Sequence, residues 1–257
     1  MLKTDKVNLE IKDSLATVTL NRPEKSNAMD GDVWLGLEEA VRRIKLNPDI
    51  KAVLVTGAGK SFSGGLDLQA ASTEGIALED RTFRDGFDTL QYLSDVFSSY
   101  ENLAVPVIAA INGGCIGVGM ELALACDIRL ASEGAVFSMP EVMHRIIPDC
   151  GGTQRLPRIV GPGMAKELVL TARRIGAEEA LRIGLVNHIY PVDDLAKEAV
   201  KMATEAANLP PDAVQGAKRA LNMALSTPMS VGLSYETATA ESVLGERVKT
   251  MITKKQK

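Results

Sequence analysis

Polar and apolar residues alternate along the first part of the chain in the way that strands require. Residues 7–11 and 16–20 follow this period-two pattern, and the short polar segment between them predicts a hairpin. Residues 32–46 instead carry apolar side chains at helical spacing, and the pair Asn47-Pro48 ends that pattern. The chain therefore begins with a strand hairpin followed by an amphipathic helix.

The middle of the chain twice joins a continuous apolar strand to a glycine-rich turn. Residues 52–56 lead into GAGKSFSGG, and residues 105–111 lead into NGGCIGVG. Wholly apolar strands are typical of a sheet that is covered on both faces. Residues 69–102 are compatible with helix, and a further helix is predicted over residues 120–126. This alternation predicts an α/β fold.

Helices dominate the rest of the chain. Residues 128–131 and 135–138 are predicted as short strands. Helices are predicted over the segments that follow, which are residues 152–160, 163–171, 177–183, 194–208, 212–225 and 230–253. We therefore expect a β/α core over residues 1–190 and a helical C-terminal region over residues 191–257.

Composition limits the possible classes of function. With 257 residues, 46% of them hydrophobic and 24% charged, the chain is long enough for one large globular core. Its net charge of −4 provides no positive field, so we expect no nucleic-acid and no membrane partner. The N-terminus lacks a signal-like apolar segment, and the 3 cysteines have no metal-ligand spacing. These features predict a cytoplasmic protein with reduced thiols and no metal.

The letters GKS in the first glycine-rich turn suggest a phosphate-binding loop, but the spacing excludes it. A P-loop would need glycine at the position of Leu54. A dehydrogenase-type turn would need glycines in place of Ser61 and Ser63. What remains is a turn in which Gly64 and Gly65 permit unusual backbone angles and can direct N–H groups into a cleft.

Three carboxyl groups near the two turns are candidates for acid–base chemistry. Glu121 lies in the first turn of an otherwise apolar helix, where free N–H groups and the helix dipole converge. Glu141 and Asp149 lie among apolar residues, which predicts raised pKa values. Each acid alone also has a plainer interpretation, with Glu121 as a solvated helix-start acid and Asp149 as the cap of the next helix. Three acids beside two turns favour the catalytic interpretation.

Several segments, in the same order along the chain, resemble the crotonase family of enoyl-CoA hydratases and isomerases. They are NRPEKSNAMD, GAGKSFSGGLDL, PVIAAINGGCIG, ELALACDIRLAS, FSMPE and GGTQRLPRIVG. The resemblance implies a spiral of β-β-α units with a helical C-terminal trimerisation region, assembled as a homotrimer or a dimer of trimers. It also implies an acyl-CoA thioester as substrate and no separate cofactor, because CoA is part of that substrate.

The same resemblance assigns positions around the substrate. The N–H groups of Leu66 and Val118 are expected to bind the thioester oxygen as an oxyanion hole and so stabilise an enolate. Val118 occupies a position where the family generally has glycine, and a positive φ there would strain a β-branched residue. The residues expected along the CoA are Lys25, Ser26, Ala28, Gly64, Gly65, Asp67, Leu68, Gln69 and Gly117.

Two reactions of this family match the acids differently. Hydratases resemble the chain at Glu121 and Glu141, which hold a water, add its oxygen at C3 and deliver a proton at C2. Dienoyl-CoA isomerases resemble it in GLDL, GGCIG, the long helical insert and the acid at Asp149. In that reaction Glu141 removes a proton from C2 and Asp149 protonates the far end of the dienolate.

Neither template matches completely, since hydratases commonly have a small residue in place of Asp149 and the isomerases usually have aspartate in place of Glu121. We expect dienoyl-CoA isomerisation, with 2-enoyl-CoA hydration as the alternative and acyl-CoA binding without catalysis as a second alternative. Outside the site, Trp34 is expected to pack in the first helix, and His144 and His188 to be structural or surface residues.

Overall fold

The fold is built from ten strands and ten helices in the part of the chain that the structure describes. This computed structural model describes residues 2, 4–73, 84–224 and 226–255. The strands are β1 Val7–Lys12, β2 Leu15–Leu20, β3 Ala52–Gly57, β4 Ser61–Ser63, β5 Val107–Ile111, β6 Gly114–Ile116, β7 Ile128–Ser132, β8 Val136–Ser138, β9 Ile175–Gly176 and β10 His188–Tyr190. The helices are α1 Gly31–Leu46, α2 Leu68–Thr73, α3 Gly86–Glu101, α4 Val118–Leu124, α5 Gly152–Val160, α6 Pro162–Thr171, α7 Ala177–Arg182, α8 Val192–Ala207, α9 Pro211–Met223 and α10 Met229–Lys255.

Two sheets carry the repeated unit. The larger has the order β1-β2-β3-β5-β7-β10, and the smaller has the order β4-β6-β8-β9. Strands β3, β5 and β7 lie parallel in the first sheet, while β4, β6 and β8 lie parallel in the second. Each step along the chain therefore adds one strand to each sheet before a helix begins. The predicted α/β spiral of β-β-α units is confirmed.

The repetition explains why the two glycine-rich turns are neighbours. The first turn follows β4 and the second follows β6, and these strands pair directly, with Ser61 beside Gly114 and Ser63 beside Cys115. Equivalent points on adjacent parallel strands lie at the same edge of a sheet. The two turns are therefore brought together even though about 50 residues separate them in the sequence.

The predicted element boundaries differ from the observed ones in an informative way. The hairpin, the first helix and the helix over residues 152–160 agree to within one residue at each end. The short strands β4 and β6 were predicted as turn, because three residues rich in serine and glycine carry too little apolar pattern. The helical region predicted over residues 69–102 includes α2 and α3, and its residues 74–83 lie outside the described residues.

The large sheet is covered on both faces, as its apolar strands predict. All five residues of β5 are buried. Alanines and a leucine of α8 pack against one face, where they contact residues such as Leu54 and Ile108. The helix that follows residue 190 thus completes the core of the sheet. The boundary between residues 190 and 191 stays a prediction.

A buried ion pair attaches α9 to this core. Lys218 Nζ lies 2.6 Å from Asp127 Oδ2 and donates to the Val105 carbonyl at 3.0 Å. Asp127 also accepts the Val107 N–H at 2.7 Å, so its carboxylate joins the start of β5 to the exit of α4. Apolar residues of α9 and α10 such as Leu221 and Val231 are exposed. None of the described helices combines the length and the apolarity needed to cross a membrane.

Candidate active site

The two glycine-rich turns border a pocket that also receives the predicted acids. It is an open cleft of about 630 Å³, a volume that includes the solvent at its mouth, and its walls include Leu66, Val118, Glu141 and Asp149. Glu121 lies beside these acids and is completely buried. The structure thus brings together all three predicted acids and both predicted oxyanion positions.

The first turn presents the Leu66 N–H. Gly65 has φ +98°, and a Cβ there would lie 3.0 Å from the Ile116 carbonyl oxygen, so the turn requires glycine. Ser63, which is buried, donates through Oγ to the Asn27 carbonyl and accepts the Gly65 N–H. Within the described part of the chain, the Leu66 N–H has no hydrogen-bond acceptor. It is available to a ligand in the pocket.

The second turn presents the Val118 N–H in the same manner. Gly117 has φ +53° and ψ −126°, a conformation that only glycine adopts readily, and Val118 is the first residue of α4. The positive φ is therefore borne by Gly117, and the β-branched Val118 has no positive φ. As the N–H at the start of a helix, that of Val118 has no acceptor among the described residues. The dipole of α4 favours negative charge at this point.

The predicted CoA-binding loop lies directly against the first turn. The Gly64 N–H donates to the Ser26 carbonyl at 2.7 Å, and the Met29 N–H donates to the Gly65 carbonyl at 2.8 Å. Asn27 is buried, and its backbone has φ +57°. Its side-chain amide donates to two backbone carbonyls beyond β3 and so holds the loop in place. Sequence reasoning did not single out Asn27, although it lies inside the NRPEKSNAMD motif.

The other predicted CoA residues occupy three kinds of position. Gly64, Gly65, Leu68 and Gly117 line the pocket. Lys25, Ser26 and Gln69 are exposed and Ala28 is half-buried, and none of these four residues lines the pocket. Asp67 accepts the Ala70 N–H and pairs with Arg22 at 3.1 Å. These contacts hold the pKa of Asp67 below its usual value, so its carboxylate supports the start of α2.

Glu121 is held by backbone donors on one oxygen and left unpaired on the other. Its Oε1 accepts the Cys150 N–H at 2.9 Å and the Gly152 N–H at 2.7 Å. Its Oε2 is buried and has no partner in the described chain. The pKa of Glu121 is raised to about 8, chiefly by burial; the charges of Glu141 and Asp149 also raise it, and the two amide donors oppose them. The interpretation of Glu121 as a solvated helix-start acid was wrong.

Glu141 offers a second unpaired oxygen. It begins a short 3₁₀ turn over Glu141–His144 and is 6% exposed. Its Oε2 is buried and has no partner among the described residues. Burial raises its pKa, and the charge of Asp149 adds to that effect. Unpaired buried carboxyl oxygens are costly to a fold, so two of them beside one pocket indicate a functional demand.

Asp149 lines the pocket and does not cap the following helix. The residue before α5 is Gly151, and no described side chain caps that helix start. The plainer interpretation of Asp149 was therefore wrong. Burial raises the pKa of Asp149, and the carboxyl accepts a long hydrogen bond of 3.5 Å from the Cys150 thiol. Asp149 therefore faces the pocket with a carboxyl group whose proton is retained to higher pH than usual.

The donor atoms of Glu121, Asp149 and Cys150 lie within 4.8 Å of one another, which is close enough to consider a metal ion. Burial raises the pKa of the Cys150 thiol strongly, so the thiol stays protonated. Metal binding requires a thiolate and ionised carboxylates. A metal ion at this cluster would therefore have to displace the thiol proton.

Two residues that sequence reasoning assigned to packing or the surface also line the pocket. Trp34 of α1 forms part of its wall together with Leu90 and Leu93 of α3. His144 lies at its exposed rim. The helical period of α1 identifies Trp34 as buried, but only the packing of α1 on α3 places it at the pocket.

Comparison with known proteins gives consistent results. The family model described as enoyl-CoA hydratase/isomerase matches residues 10–253. A short-chain-enoyl-CoA hydratase from Clostridium acetobutylicum is 40% identical over 236 residues, covering 91% of this chain and 88% of that protein. A crotonyl-CoA hydratase from Syntrophomonas wolfei is 40% identical over 233 residues, covering 90% and 87%.

A solved structure agrees with these relatives. It is a Thermobifida fusca protein in complex with acetoacetyl-CoA, with a TM-score of 0.86 and 29% sequence identity. The match covers 95% of this chain and 97% of that one. The similarity therefore extends over nearly the whole chain.

Proposed function

Because the chain belongs to the enoyl-CoA hydratase/isomerase family and is an enzyme of that family, we propose that it adds water across the 2,3 double bond of an enoyl-CoA thioester. The observation that carries this proposal is the pair of buried glutamates, Glu121 and Glu141, each with one unpartnered oxygen. The names of the relatives favour hydration over the dienoyl-CoA isomerisation that we expected first. An acyl-CoA substrate also agrees with the acetoacetyl-CoA in the structural neighbour.

The oxyanion hole of the proposed reaction is formed by backbone. The thioester carbonyl oxygen accepts the Leu66 and Val118 N–H groups, both of which lack acceptors in the described chain. Two such donors stabilise the negative charge that develops as the thioester becomes an enolate, and the dipole of α4 adds to this effect. This arrangement lowers the barrier for attack at C3.

The glutamate pair carries the protons. A water held between the free oxygens of Glu121 and Glu141 attacks C3, and one carboxylate takes the proton that the water loses. The other carboxyl group donates its proton to C2 as the enolate collapses, so the net change is the addition of one water. This cycle needs one proton on the pair at neutral pH, and the raised pKa values of both acids are consistent with that state.

Asp149 is the observation that favours a second reaction, the isomerisation of dienoyl-CoA. Its side chain lines the pocket and is not used as a helix cap. In that reaction Glu141 removes a proton from C2, the dienolate is held by the Leu66 and Val118 N–H groups, and Asp149 protonates the far end of the dienolate. Hydration remains the leading proposal because Glu121, which isomerisation does not use, carries the other unpaired oxygen.

A paired ultraviolet assay distinguishes these reactions. Purified enzyme is given crotonyl-CoA in one cuvette and a 3,5-dienoyl-CoA in the other. Hydration predicts loss of enoyl absorbance that needs Glu121 and Glu141 but survives Asp149→Asn. Growth of conjugated dienoyl absorbance that Asp149→Asn abolishes, without crotonyl-CoA turnover, would replace hydration by isomerisation. If the protein binds CoA tightly but neither absorbance changes, acyl-CoA binding without catalysis is the alternative that remains.

The remaining features of the proposed enzyme follow from the resemblance of its sequence motifs to the crotonase family. CoA enters only as part of the substrate, and no separate cofactor is required. The exposed apolar residues of α9 and α10 are consistent with assembly through the C-terminal helices. A homotrimer or a dimer of trimers in the cytoplasm stays our prediction, and light scattering on the purified protein measures the subunit number.

A further inference from the structure

One wall of the pocket contains a polar group that the described protein leaves unused. Trp34 lies in α1, is 0% exposed and lines the pocket together with Leu93 of α3. Its ring stacks on Phe97, with the ring centroids 4.5 Å apart. This stacking holds the indole ring of α1 against α3.

The indole N–H of Trp34 has no acceptor among the described residues. Buried tryptophans usually find a partner for this group, because an unmet donor loses its water without compensation. The contrast with Tyr100, at the same interface of α1 and α3, is direct. Its hydroxyl is equally buried but donates to the Leu37 carbonyl at 3.0 Å. The interface therefore supplies an acceptor for Tyr100 and none for Trp34.

The charges around the pocket limit the kind of ligand oxygen that can accept a hydrogen bond from the Trp34 N–H. Glu141 and Asp149 line the pocket, and Glu121 is buried beside them. None of the described residues that line the pocket is lysine or arginine. A carboxylate on the acyl chain would thus meet acids with no lysine or arginine to compensate them, whereas an uncharged oxygen would carry no such penalty.

We propose that the Trp34 indole N–H donates a hydrogen bond to an uncharged hydroxyl or ketone oxygen on the acyl chain, beyond C3. Trp34 is then a specificity-determining residue, and the natural substrate is an oxygenated enoyl-CoA. This inference rests on the proposed function, since it takes the acyl chain as the occupant of the pocket. Sites that hydrogen-bond a substrate oxygen reject analogues that lack it, because their buried donor is left unpaired.

The first test needs neither a variant nor turnover. The chain contains a single tryptophan, so its indole N–H gives one cross-peak in a ¹H–¹⁵N spectrum. The protein is titrated with saturated CoA thioesters in isosteric pairs, pentanoyl-CoA with 4-hydroxybutanoyl-CoA, and hexanoyl-CoA with 5-hydroxypentanoyl-CoA. We expect the indole proton to move downfield with the hydroxyl member of at least one pair and not with its alkyl partner. Equal shifts within both pairs would overturn the proposal.

The second test measures selectivity. Trp34→Phe removes the N–H and keeps an aromatic ring to stack on Phe97. We measure kcat/KM for two matched unsaturated pairs, 2-pentenoyl-CoA with 4-hydroxycrotonyl-CoA, and 2-hexenoyl-CoA with 5-hydroxy-2-pentenoyl-CoA. In one pair the ratio of kcat/KM for the hydroxyl member to kcat/KM for the alkyl member is expected to fall about tenfold in the variant, the size of one lost hydrogen bond.

Tyr100→Phe is the matched control, because it removes a buried polar atom from the same helix interface but outside the pocket lining. It is expected to leave the selectivity ratios unchanged. Ratios in Trp34→Phe within about twofold of wild type for both pairs would refute the role of Trp34 even if hydration is normal. If wild-type enzyme hydrates none of the four unsaturated substrates, alkyl or hydroxyl, the proposed function fails by itself, and the spectra still decide whether Trp34 recognises an oxygen.

Discussion

The two sides of the pocket offer polar groups to a ligand from different parts of the chain, the backbone on one side and side chains on the other. On the oxyanion side, the groups offered to a ligand are the backbone N–H groups of Leu66 and Val118. On the acid side, they are the side-chain oxygens of Glu121, Glu141 and Asp149. One side therefore depends on backbone conformation, and the other depends on the identity and burial of side chains.

This difference determines which substitutions each side tolerates. The oxyanion N–H groups of Leu66 and Val118 do not depend on the identity of those side chains, whereas Gly65 and Gly117 before them cannot gain a side chain without strain. On the acid side the carboxyl group itself is required, and its pKa depends on how completely the surrounding chain excludes water. A substitution that removes a backbone N–H therefore tests the oxyanion side, and a substitution that removes a carboxyl group tests the acid side.

The largest effect is expected on the acid side. Glu141→Gln keeps the size of the side chain but removes its ability to exchange a proton. We expect kcat for crotonyl-CoA hydration to fall by about 10²- to 10⁴-fold, the usual contribution of one acid–base group. Steady-state ultraviolet kinetics measures this, and Glu133→Gln, an exposed acid outside the pocket lining, serves as the control. Activity within about threefold of wild type would remove Glu141 from the mechanism.

On the oxyanion side, the backbone N–H is tested at Val118. Because Val118 is the first residue of α4, proline is compatible with its place in the helix and removes the N–H without breaking the helix. Val118→Pro is expected to lower kcat by about 10²- to 10³-fold, as loss of one oxyanion donor does. Val118→Ala keeps the N–H and is expected to stay within about threefold of wild type. Equal losses in both variants would show that the side chain matters and the N–H does not.

A somewhat smaller loss is expected at Gly117, where the two sides meet. A Cβ added there would lie 2.7 Å from Glu141 Oε1, and φ of +53° would be strained for alanine. We expect Gly117→Ala to lower kcat by about 10- to 100-fold by displacing both the N–H and the acid. Gly161→Ala is the control, since Gly161 has φ +81° before α6 but no atom within 4 Å of its Cβ position. Gly161→Ala should lose stability and keep kcat. If its kcat falls as much as that of Gly117→Ala, backbone strain alone explains the loss in both variants.

The smallest expected effect is on stability and its dependence on pH. The pKa of Glu121 is raised from its ordinary 4.5 to about 8, so the folded state favours the protonated form. This stabilisation is complete below about pH 4.5 and is lost as the pH rises through about 8, with each unit worth about 1.4 kcal/mol. Glu121→Gln cannot ionise, so its free energy of unfolding relative to wild type should rise between about pH 5 and about pH 8.

Urea unfolding at several pH values measures this difference. Glu133→Gln again serves as the control, and its difference from wild type is expected to vary less over the same range because that acid is exposed. A difference for Glu121→Gln that is independent of pH would mean that Glu121 titrates normally. In that case its role as a proton-carrying partner of Glu141 would lose its main support.

Much of the fold was predictable because its signals are local. The apolar periods identified α1, β3 and β5, and the glycines and Asn47-Pro48 marked where elements end. The acids were found because carboxyl groups in apolar surroundings are conspicuous in a sequence. The choice between hydration and isomerisation was not predictable in this way, since the same acids suit both reactions and the names of relatives now favour hydration.

The sequence by itself determined the alternating strands and helices, the two glycine-rich turns and the three acids, because these depend on backbone propensity and on neighbours along the chain. Tertiary structure alone decided that the positive φ belongs to Gly117 and not to Val118, that Asp149 faces the pocket, and that Trp34 forms its wall. Each of these depends on pairing or packing between segments far apart in the chain. The energy of such contacts is set by the folded neighbours of a residue, which its own segment does not specify.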